Sequence, residues 1–264
     1  PVRCGSAAWV ARGILEDMCG RYASFRDAQD LADEFAIADL ADDARLLPPS
    51  WNVAPTDPVR IVVERAAKGT GEVRRSLRVA RWGLVPSWAK DPGVGARMIN
   101  ARAESLLDKP AFAKPFAARR CLVPADGYYE WRRIETPPAP GSTARKPKVS
   151  KQPFFIHPDG SAVAAFAGLY EFWRDRTKAD DDPDRWLVST TIVTTAATPA
   201  LASIHDRMPL SLAPDLWDAW LDPAVGKDEA AGLLAAPEVR MAAQEVAPLV
   251  NSVANNGPEL VLAV

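Results

Sequence analysis

The sequence has few of the residues that build metal centres and disulfide frameworks. Its 264 residues include three cysteines, Cys4, Cys19 and Cys121, and two histidines, His157 and His205. The cysteines form no CxxC pair, and their odd number and wide spacing predict neither a disulfide framework nor a zinc knuckle. Two distant histidines are too few for a multi-histidine catalytic metal site. We therefore expect no metal and no organic cofactor.

Long apolar runs and an excess of one charge are also missing. No stretch approaches the roughly 18 apolar residues of a membrane helix, and the N-terminus has no basic region followed by an apolar segment. The 32 basic and 34 acidic side chains give a formal net charge of −2, so global charge offers no general attraction for nucleic acid or an anionic membrane. These features predict a cytoplasmic protein with no membrane partner, in which DNA binding needs a local basic groove.

The chain organisation predicts one folded domain. Apolar residues make up 48% of the sequence and charged residues 25%, the balance of an ordinary globular protein. Residues 1–17 lack a strong helical or strand pattern and are interpreted as a leader or upstream extension, followed by a domain over 18–264. Residues 135–152 and 175–184 interrupt the pattern and are predicted to be exposed loop insertions. A monomer is expected.

Hydrophobic spacing predicts an α+β fold, a mixed α/β arrangement with flanking helices. Because regular crossover helices do not separate the strands, the sheet is expected to be bent and mainly antiparallel. Pro110 and Pro115 should break any long helix over 103–118. The other predicted helices are 27–38, 214–221 and 227–235, and the predicted strands are 59–63, 77–84, 121–124, 127–131, 154–156, 162–170, 186–195, 246–250 and 260–264.

The dipeptide Met18-Cys19 carries the strongest single chemical signal. Removal of an initiator methionine before a small residue would leave Cys19 with both a free α-amine and a thiol, two groups that titrate near pH ~8 and ~8.5. Such a pair attacks aldehydes: the amine forms an imine, and the thiol closes a five-membered thiazolidine ring. The alternative is a small buried cysteine, which is the ordinary reading of an internal cysteine.

The rest of the chain contains a series of ordered motif blocks, namely MCGRYA, WNVAPT, RWGLVPSW, INARAES, RRCLVPADGYYEW, AGLYEFW, TTAAT, IHDRMPL and VNSVANNGPEL. Together they resemble the SOS-response-associated peptidase family, also called the abasic-site processing or SRAP domain, over about Met18 to Leu262. The resemblance implies a β-barrel-like core, and covalent linkage of the N-terminal cysteine to the aldehyde of an abasic site in single-stranded DNA.

The resemblance implies four catalytic residues. Cys19 resembles the covalent nucleophile, and Asn100 the residue that orients the sugar or the cysteine by hydrogen bonding. Glu130 resembles the carboxylate that takes the amine proton, and its neighbours Tyr129 and Trp131 should lie on the opposite strand face. His205 resembles the proton shuttle of the site. The alternatives are a turn asparagine, a solvated strand glutamate and a structural histidine.

The resemblance also implies a DNA path with no base-reading code. Its aromatic residues would stack on exposed bases or wedge against a duplex end, and its arginines would contact phosphates. The alternatives are core tryptophans and ordinary surface arginines. The residues implied are Arg21, Arg81, Arg97, Arg102, Trp82 and Trp88, with Arg207 as a further candidate and Asn52 and Pro55 shaping the floor.

Three departures from this pattern remain open. The leader acylates Cys19, so either Met18 is the initiator or the protein cuts its own Met18–Cys19 bond. Thr198 stands where the TTAA block leads us to expect asparagine. The basic residues near the 135–152 insertion either form a DNA-facing arm or are merely solvated. Two other functions compete with DNA crosslinking: a peptidase acting in trans, and a noncovalent reader of modified or single-stranded DNA.

Overall fold

The computed structural model describes residues 20–66, 69–138, 146–160, 162–235 and 239–264, so the predicted leader and Cys19 lie outside the described residues. Strands and helices alternate along this part of the chain. The helices are α1 (Ala28–Glu34), α2 (Asp42–Leu46), α3 (Pro110–Ala118), α4 (Trp217–Leu221) and α5 (Lys227–Leu233). The strands are β1 (Arg21–Ser24), β2 (Asp39–Leu40), β3 (Ser50–Val53), β4 (Pro58–Ala66), β5 (Val73–Trp82), β6 (Asn100–Arg102), β7 (Arg120–Ala125), β8 (Gly127–Thr136), β9 (Lys148–Pro158), β10 (Ala164–Arg174), β11 (Trp186–Ala196), β12 (Arg207–Pro209) and β13 (Met241–Glu245).

Five strands close into a barrel in the order β5–β4–β7–β10–β11. Neighbours in this ring are antiparallel except where it closes, because β11 runs parallel to β5 with Ser189 opposite Arg81 and Thr190 opposite Trp82. Closure pairs strand edges that would otherwise be open. Beyond the contact with β5, the strand β11 also pairs with β6 and β12. The predicted α+β class and barrel-like, mainly antiparallel core are confirmed.

A second sheet has the order β13–β9–β8–β1–β3 and packs against the barrel strands. One of its faces contributes Tyr22, Tyr128 and Phe154 to a cluster that also contains barrel residues such as Phe166. Its other face contributes Tyr129 and residues near it to a smaller cluster under the C-terminal segment. The period-two alternation of strand side chains produces this division. The sheet is therefore covered on both sides.

The barrel strands are also buried on both faces. In β7, Cys121 and Val123 belong to the cluster shared with the second sheet, whereas Leu122 belongs to the cluster that the helices cover. β4 behaves in the same way and is buried from Val59 to Val63. Burial on both faces explains why these segments read as continuous apolar runs in the sequence.

Several predicted boundaries are wrong for identifiable reasons. The helix predicted over 27–38 ends at Glu34. Over 103–118, where a long helix was not expected, the structure has a 3₁₀ turn at Ala103–Ser105 and the helix α3, which begins at Pro110. A proline suits the first turn of a helix because that position needs no backbone donor. Pro115, expected to break the helix, instead lies inside α3, where it is buried.

The C-terminal strand predictions are wrong as well. Residues 246–250 and 260–264 are predicted to be strands, but they overlap 3₁₀ turns at Pro248–Asn251 and Pro258–Val261 and are joined by a single antiparallel bridge between Val246 and Ala263. The apolar residues Val250 and Leu260 are buried against the second sheet without joining it. Apolar spacing in a short segment does not distinguish a packed turn from a strand.

Candidate active site

The pairing of β1 with β8 brings the start of the described chain next to Glu130. Arg21 lies opposite Tyr129 and Tyr22 opposite Tyr128 in an antiparallel register. Continuing this register by one residue places Gly20 across from Glu130. Because Cys19 is covalently bonded to Gly20, this strand pair sets which acidic residue lies at that end of β1, although Cys19 itself is outside the described residues.

Glu130 is a buried carboxylate on the face of β8 that also carries Tyr128. It is 4% exposed, and its neighbours Tyr129 and Trp131 belong to the opposite face, around the smaller cluster. The predicted division of this strand is confirmed, and the solvated alternative for Glu130 is wrong. Strongly buried carboxylates are common at catalytic sites, so the burial of Glu130 is compatible with the predicted role.

Asn100 is the first residue of β6. It is 7% exposed and lies opposite Ile192 of β11 in a parallel register, with the Ile192 amide donating to the carbonyl of Ile99 at 3.0 Å. Because Asn100 lies on a strand, the alternative of a turn asparagine is wrong. A short strand held on β11 fixes the direction of the side chain.

His205 lies in the segment that connects β11 to β12. Its Nδ1 lies 3.0 Å from the backbone nitrogen of Arg207, 3.3 Å from the carbonyl oxygen of Arg207 and 3.2 Å from the carboxylate of Asp206. These contacts fix the ring on its Nδ1 side, and imidazole can exchange protons near neutral pH.

One apolar cluster connects the elements that carry these three residues. It contains Tyr22 and Tyr128 from the β1–β8 pair, Ile99 next to Asn100, and Leu201 and Met208 on either side of His205 in the chain. Each predicted catalytic residue is therefore a close sequence neighbour of a residue in the same cluster. Packing, rather than sequence proximity, associates these segments.

Arg21 extends from the opposite face of the second sheet. Its guanidinium donates to Asn52 Oδ1 and to the carbonyl of Val250, both at 2.9 Å, while Asn52 Nδ2 donates to the carbonyls of Ser252 and Asn255 at 3.0 and 2.9 Å. Burial lowers the pKa of Arg21. Arg21 therefore connects β1 to residues 250–256, which we call the C-terminal turn, instead of making the predicted open contact with phosphate.

The C-terminal turn supplies hydrogen bonds to the second sheet that reasoning from residue types did not predict. Asn251 Oδ1 accepts from the indole of Trp131 at 2.7 Å, and Asn256 Oδ1 accepts from the backbone of Trp51 at 2.7 Å. The block VNSVANNGPEL could have been assigned this role only through its three asparagines, because side-chain amides commonly cap backbone turns.

The loop from Gly83 to Ile99 presents exposed residues from a fixed base. Gly83 N–H donates to the carbonyl of Thr190 at 2.8 Å, and Trp173 Nε1 donates to the carbonyl of Ala89 at 2.7 Å. Next to that anchor, Trp88 is 66% exposed. A large aromatic side chain that is held in water by an ordered backbone is a typical binding feature.

Two glycines set the course of this loop. Gly83 has φ +115°, and a Cβ on it would lie 2.5 Å from the carbonyl oxygen of Gly95, while a Cβ on Gly95 would lie 2.4 Å from that of Gly83. Only residues without a Cβ permit this approach of the two backbones. The contact holds the two ends of the loop together.

We expect Gly83→Ala to lower the free energy of unfolding by about 2–4 kcal/mol, because it adds both an unfavourable φ and a clash with backbone. Gly232→Ala is the matched control, since Gly232 lies in α5 with open space at its Cβ position. That control should gain about 0.5–1 kcal/mol from helix propensity. Urea titration of both variants measures the difference, and equal stabilities would contradict the proposed constraint.

The remaining predicted DNA contacts divide by exposure. Trp82 is 1% exposed, packs edge-to-face against Tyr22 and donates from Nε1 to the carbonyl of Ile99 at 2.9 Å, so its predicted place on the DNA path is wrong. Arg97 and Arg102 are exposed, and Arg81 is half-buried. These arginines lie on the loop, on β6 and on β5, respectively.

Arg207, the further candidate for a DNA contact, forms hydrogen bonds and an ion pair within the protein. Its guanidinium binds the carboxylate of Glu104 through two contacts of 2.6 and 3.0 Å, and it donates to the carbonyl of Thr194 at 2.7 Å. The bidentate geometry is typical of strong Arg–carboxylate pairs. It fixes the segment after His205 against the turn that follows β6.

The described ranges contain no group of three or more histidine, cysteine or acidic side chains arranged to hold a metal ion. Within the same ranges, no helix is long and apolar enough to cross a membrane.

The fold and these residues define a member of one family. The chain belongs to the SOS response associated peptidase (SRAP) family, whose model it matches over residues 18–253. Among its relatives is the abasic site processing protein YoqW of Bacillus subtilis, which is 37% identical over 246 residues, covering 92% of this chain and 99% of that protein. Another is the abasic site processing protein HMCES of Pongo abelii, 29% identical, covering 92% of this chain and 75% of that protein.

Solved structures have the same fold. A protein from Bacteroides thetaiotaomicron superimposes with a TM-score of 0.72 at 24% identity and covers 93% of this chain and 100% of its own. A phage-related protein from Bordetella bronchiseptica superimposes with a TM-score of 0.59 at 29% identity, covering 86% and 94%.

Proposed function

We propose that this protein processes abasic sites by forming a covalent crosslink between Cys19 and the lesion aldehyde in single-stranded DNA. The observation that carries the proposal is the β1–β8 register, which sets the buried Glu130 across from the residue bonded to Cys19. The family and the names of the relatives support the lesion as substrate. The crosslink would shield the lesion during repair.

The chemistry needs only groups that the chain supplies. The α-amine of Cys19 adds to the aldehyde carbon C1′ of the opened sugar, and the resulting carbinolamine loses water to give an imine. The thiol then adds to the imine carbon and its proton passes to nitrogen, which closes the thiazolidine. One water leaves in total. The ring resists hydrolysis better than the imine because the carbon gains a second bond to the same residue.

Each predicted catalytic side chain has one role in this sequence of steps. Glu130 takes the proton from the α-ammonium and returns one to the departing hydroxyl as water forms. His205 exchanges a proton with the sugar oxygen through Nε2, since Nδ1 is held by Arg207. Asn100 hydrogen-bonds the sugar or the cysteine and keeps the aldehyde in position.

Two further activities follow from the same intermediates. An imine at C1′ makes the neighbouring C2′ protons more acidic, so some β-elimination of the 3′ phosphate should accompany crosslinking. The amine must also be freed from the residues that precede it. Initiation at Met18 followed by methionine removal does this, and cleavage of the Met18–Cys19 bond by the protein itself is the second route.

Phosphate and base contacts come from the exposed residues. Arg97 and Arg102 supply positive charge, with the half-buried Arg81 near them in sequence. Trp88 supplies a flat apolar surface on which an unpaired base stacks. Such contacts recognise an unpaired strand independently of its sequence.

Trp88→Ala should weaken single-stranded DNA binding about 10- to 100-fold, because stacking on one base contributes about 1–3 kcal/mol. The stability of the fold should stay unchanged, since Trp88 is exposed. Trp82→Ala is the matched opposite: it should destabilise the fold by about 3–5 kcal/mol. Fluorescence anisotropy and urea titration on both variants separate the two roles. Equal DNA affinity for Trp88→Ala and the parent protein would remove Trp88 from the interface.

The function is tested with protein that begins at Cys19 and three single-stranded oligonucleotides. One carries an abasic site, one carries a borohydride-reduced abasic site without an aldehyde, and one is undamaged. A heat-stable shifted band on a denaturing gel is expected with the first alone. No band with any oligonucleotide would overturn the proposal, and bands with all three would show that the link does not depend on the aldehyde.

A further inference from the structure

Part of the β8–β9 hairpin projects beyond its neighbouring strands. The pairing of β1 with β8 begins at Arg21 opposite Tyr129, and the pairing of β13 with β9 ends at Glu245 opposite Phe154. From Arg132 and Gln152 outward, the hairpin is a two-stranded ribbon in the described residues. We name residues 132–136 and 146–152 the basic arm.

The basic arm concentrates positive charge in a chain whose net charge is −2. It holds five basic residues, Arg132, Arg133, Lys146, Lys148 and Lys151, and one acidic residue, Glu135. Arg133 lies directly opposite Lys151 across the ribbon. The guanidinium of Arg133 lies 2.8 Å from the Glu135 carboxylate, and this one acidic residue leaves the arm with a formal net charge of +4.

The surface of the basic arm is open. Arg133 and Glu135 are 65% and 52% exposed at their side chains, and Lys146, Lys148 and Lys151 are exposed. Arg132 is restrained at the base of the arm by Glu245 at 2.7 Å and by the ring of Phe154. A restrained base and exposed basic side chains beyond it suit contact with a flexible polyanion, because such a ligand can adapt its shape to them at a small cost in free energy.

The arm begins at the candidate active site. Glu130 and Arg132 lie on the same face of β8, and the strand continues to Thr136. At about 3.3 Å per residue, the ribbon extends about 20 Å from Glu130. One strand of a duplex has a phosphate every ~3.4 Å along its axis, so the arm can follow several nucleotides next to the lesion.

We infer that the basic arm binds the phosphate backbone of the DNA strand that flanks the abasic site. This inference rests on the proposed function for the position of the lesion, and it adds a second contact outside the catalytic residues. Binding should then depend on the length of the flanking strand and on salt, because each phosphate contact releases counterions.

The test uses a triple substitution, Arg133→Gln, Lys148→Gln and Lys151→Gln, in protein that begins at Cys19. Its control is Lys109→Gln, Lys114→Gln and Lys227→Gln, which removes the same charge from exposed positions on or beside α3 and α5. Binding is measured with single-stranded oligonucleotides that carry a reduced abasic site and flanks of either about 2 or about 10 nucleotides, the range of single-strand site sizes.

With long flanks, the arm variant should bind about 10-fold or more weaker than the control, and its plot of log K against log[salt] should be less steep by about 2. With short flanks, the gap between the two variants should largely close. An equal affinity and slope for both variants on long flanks, or the same loss on both flank lengths, would overturn the inference.

The crosslinking gel run beside this experiment keeps the two proposals separate. If the unsubstituted protein crosslinks but the arm variant binds long flanks like the control, the arm inference alone fails. If the unsubstituted protein does not crosslink, the proposed function fails, and the slope difference on undamaged DNA with long flanks still decides the arm.

Discussion

Protein that begins at Cys19 and carries Cys19→Ala should give no heat-stable adduct with abasic single-stranded DNA, a loss of at least 100-fold in yield. The substitution keeps an N-terminal α-amine but removes the thiol, so an imine can form and the ring cannot close. Borohydride should therefore still trap an adduct of this variant by reducing the imine. A heat-stable band without reductant would exclude the thiazolidine.

Cys121→Ala is the matched control for this substitution. Cys121 is fully buried, and burial raises the pKa of its thiol to about 12, which leaves it protonated and inaccessible near neutral pH. Its replacement should cost about 1 kcal/mol of stability for the small cavity and leave the crosslink yield unchanged. A loss of crosslink in this control at full folding would contradict the assignment to Cys19.

A third form, which retains residues 1–18, separates the two ways of freeing the amine. Its Cys19 nitrogen is an amide, so neither a thiazolidine nor a borohydride-trapped imine is expected. A band from this form, together with a new N-terminus at Cys19 in protein sequencing, would establish self-cleavage. Without self-cleavage, initiation at Met18 is the route that supplies the reactive cysteine.

The barrel strands were predictable because their segments are short apolar runs in which β-branched residues fill both faces. The segment Cys121–Pro124 is apolar throughout and Val59–Val63 is apolar except for Arg60, and each lies in a barrel strand. The closure of the ring between β5 and β11 was not predictable, because it depends on two residue pairs more than 100 positions apart. Register between distant strands follows from packing of the whole domain.

The loop predicted over 135–152 overlaps two strands of the structure. Its ends are strands, since β8 continues to Thr136 and β9 begins at Lys148. Prolines and charges suggested an exposed loop, but a ribbon with both faces in water needs no apolar alternation. The loop predicted over 175–184 agrees with the turns found there, which end in a short 3₁₀ turn at Pro183–Arg185.

Residue types in ordered blocks identified the residues of the candidate site, but they did not predict its geometry. Glu130, Asn100 and His205 are widely separated in sequence, and one apolar cluster associates their segments. Burial then distinguishes two tryptophans of the same block, because Trp82 is packed in the core and Trp88 is exposed. Residue type and motif are identical for both, so only tertiary packing separates a core role from a binding role.

The second large effect is expected at Glu130. Glu130→Gln keeps the shape and hydrogen-bonding capacity of the side chain but removes its ability to take a proton from the α-ammonium. The rate of adduct formation should fall about 10²- to 10⁴-fold, with the final yield approached slowly. Glu130→Asp should recover part of the rate, because it restores a carboxylate at a slightly different position.

Glu171→Gln separates loss of proton transfer from loss of a buried charge. Glu171 is likewise 4% exposed on a strand and lies outside the predicted catalytic set, and its carboxylate is paired with Arg119 at 2.7 Å and accepts from the backbone of Phe172 at 2.9 Å. Its substitution should lower stability by about 1–3 kcal/mol and leave the crosslinking rate per folded molecule unchanged. Single-turnover crosslinking and urea titration on both variants measure the two effects. If Glu130→Gln lowers stability as Glu171→Gln does while crosslinking at the parent rate, Glu130 is a structural carboxylate, and the proton acceptor must be sought at His205.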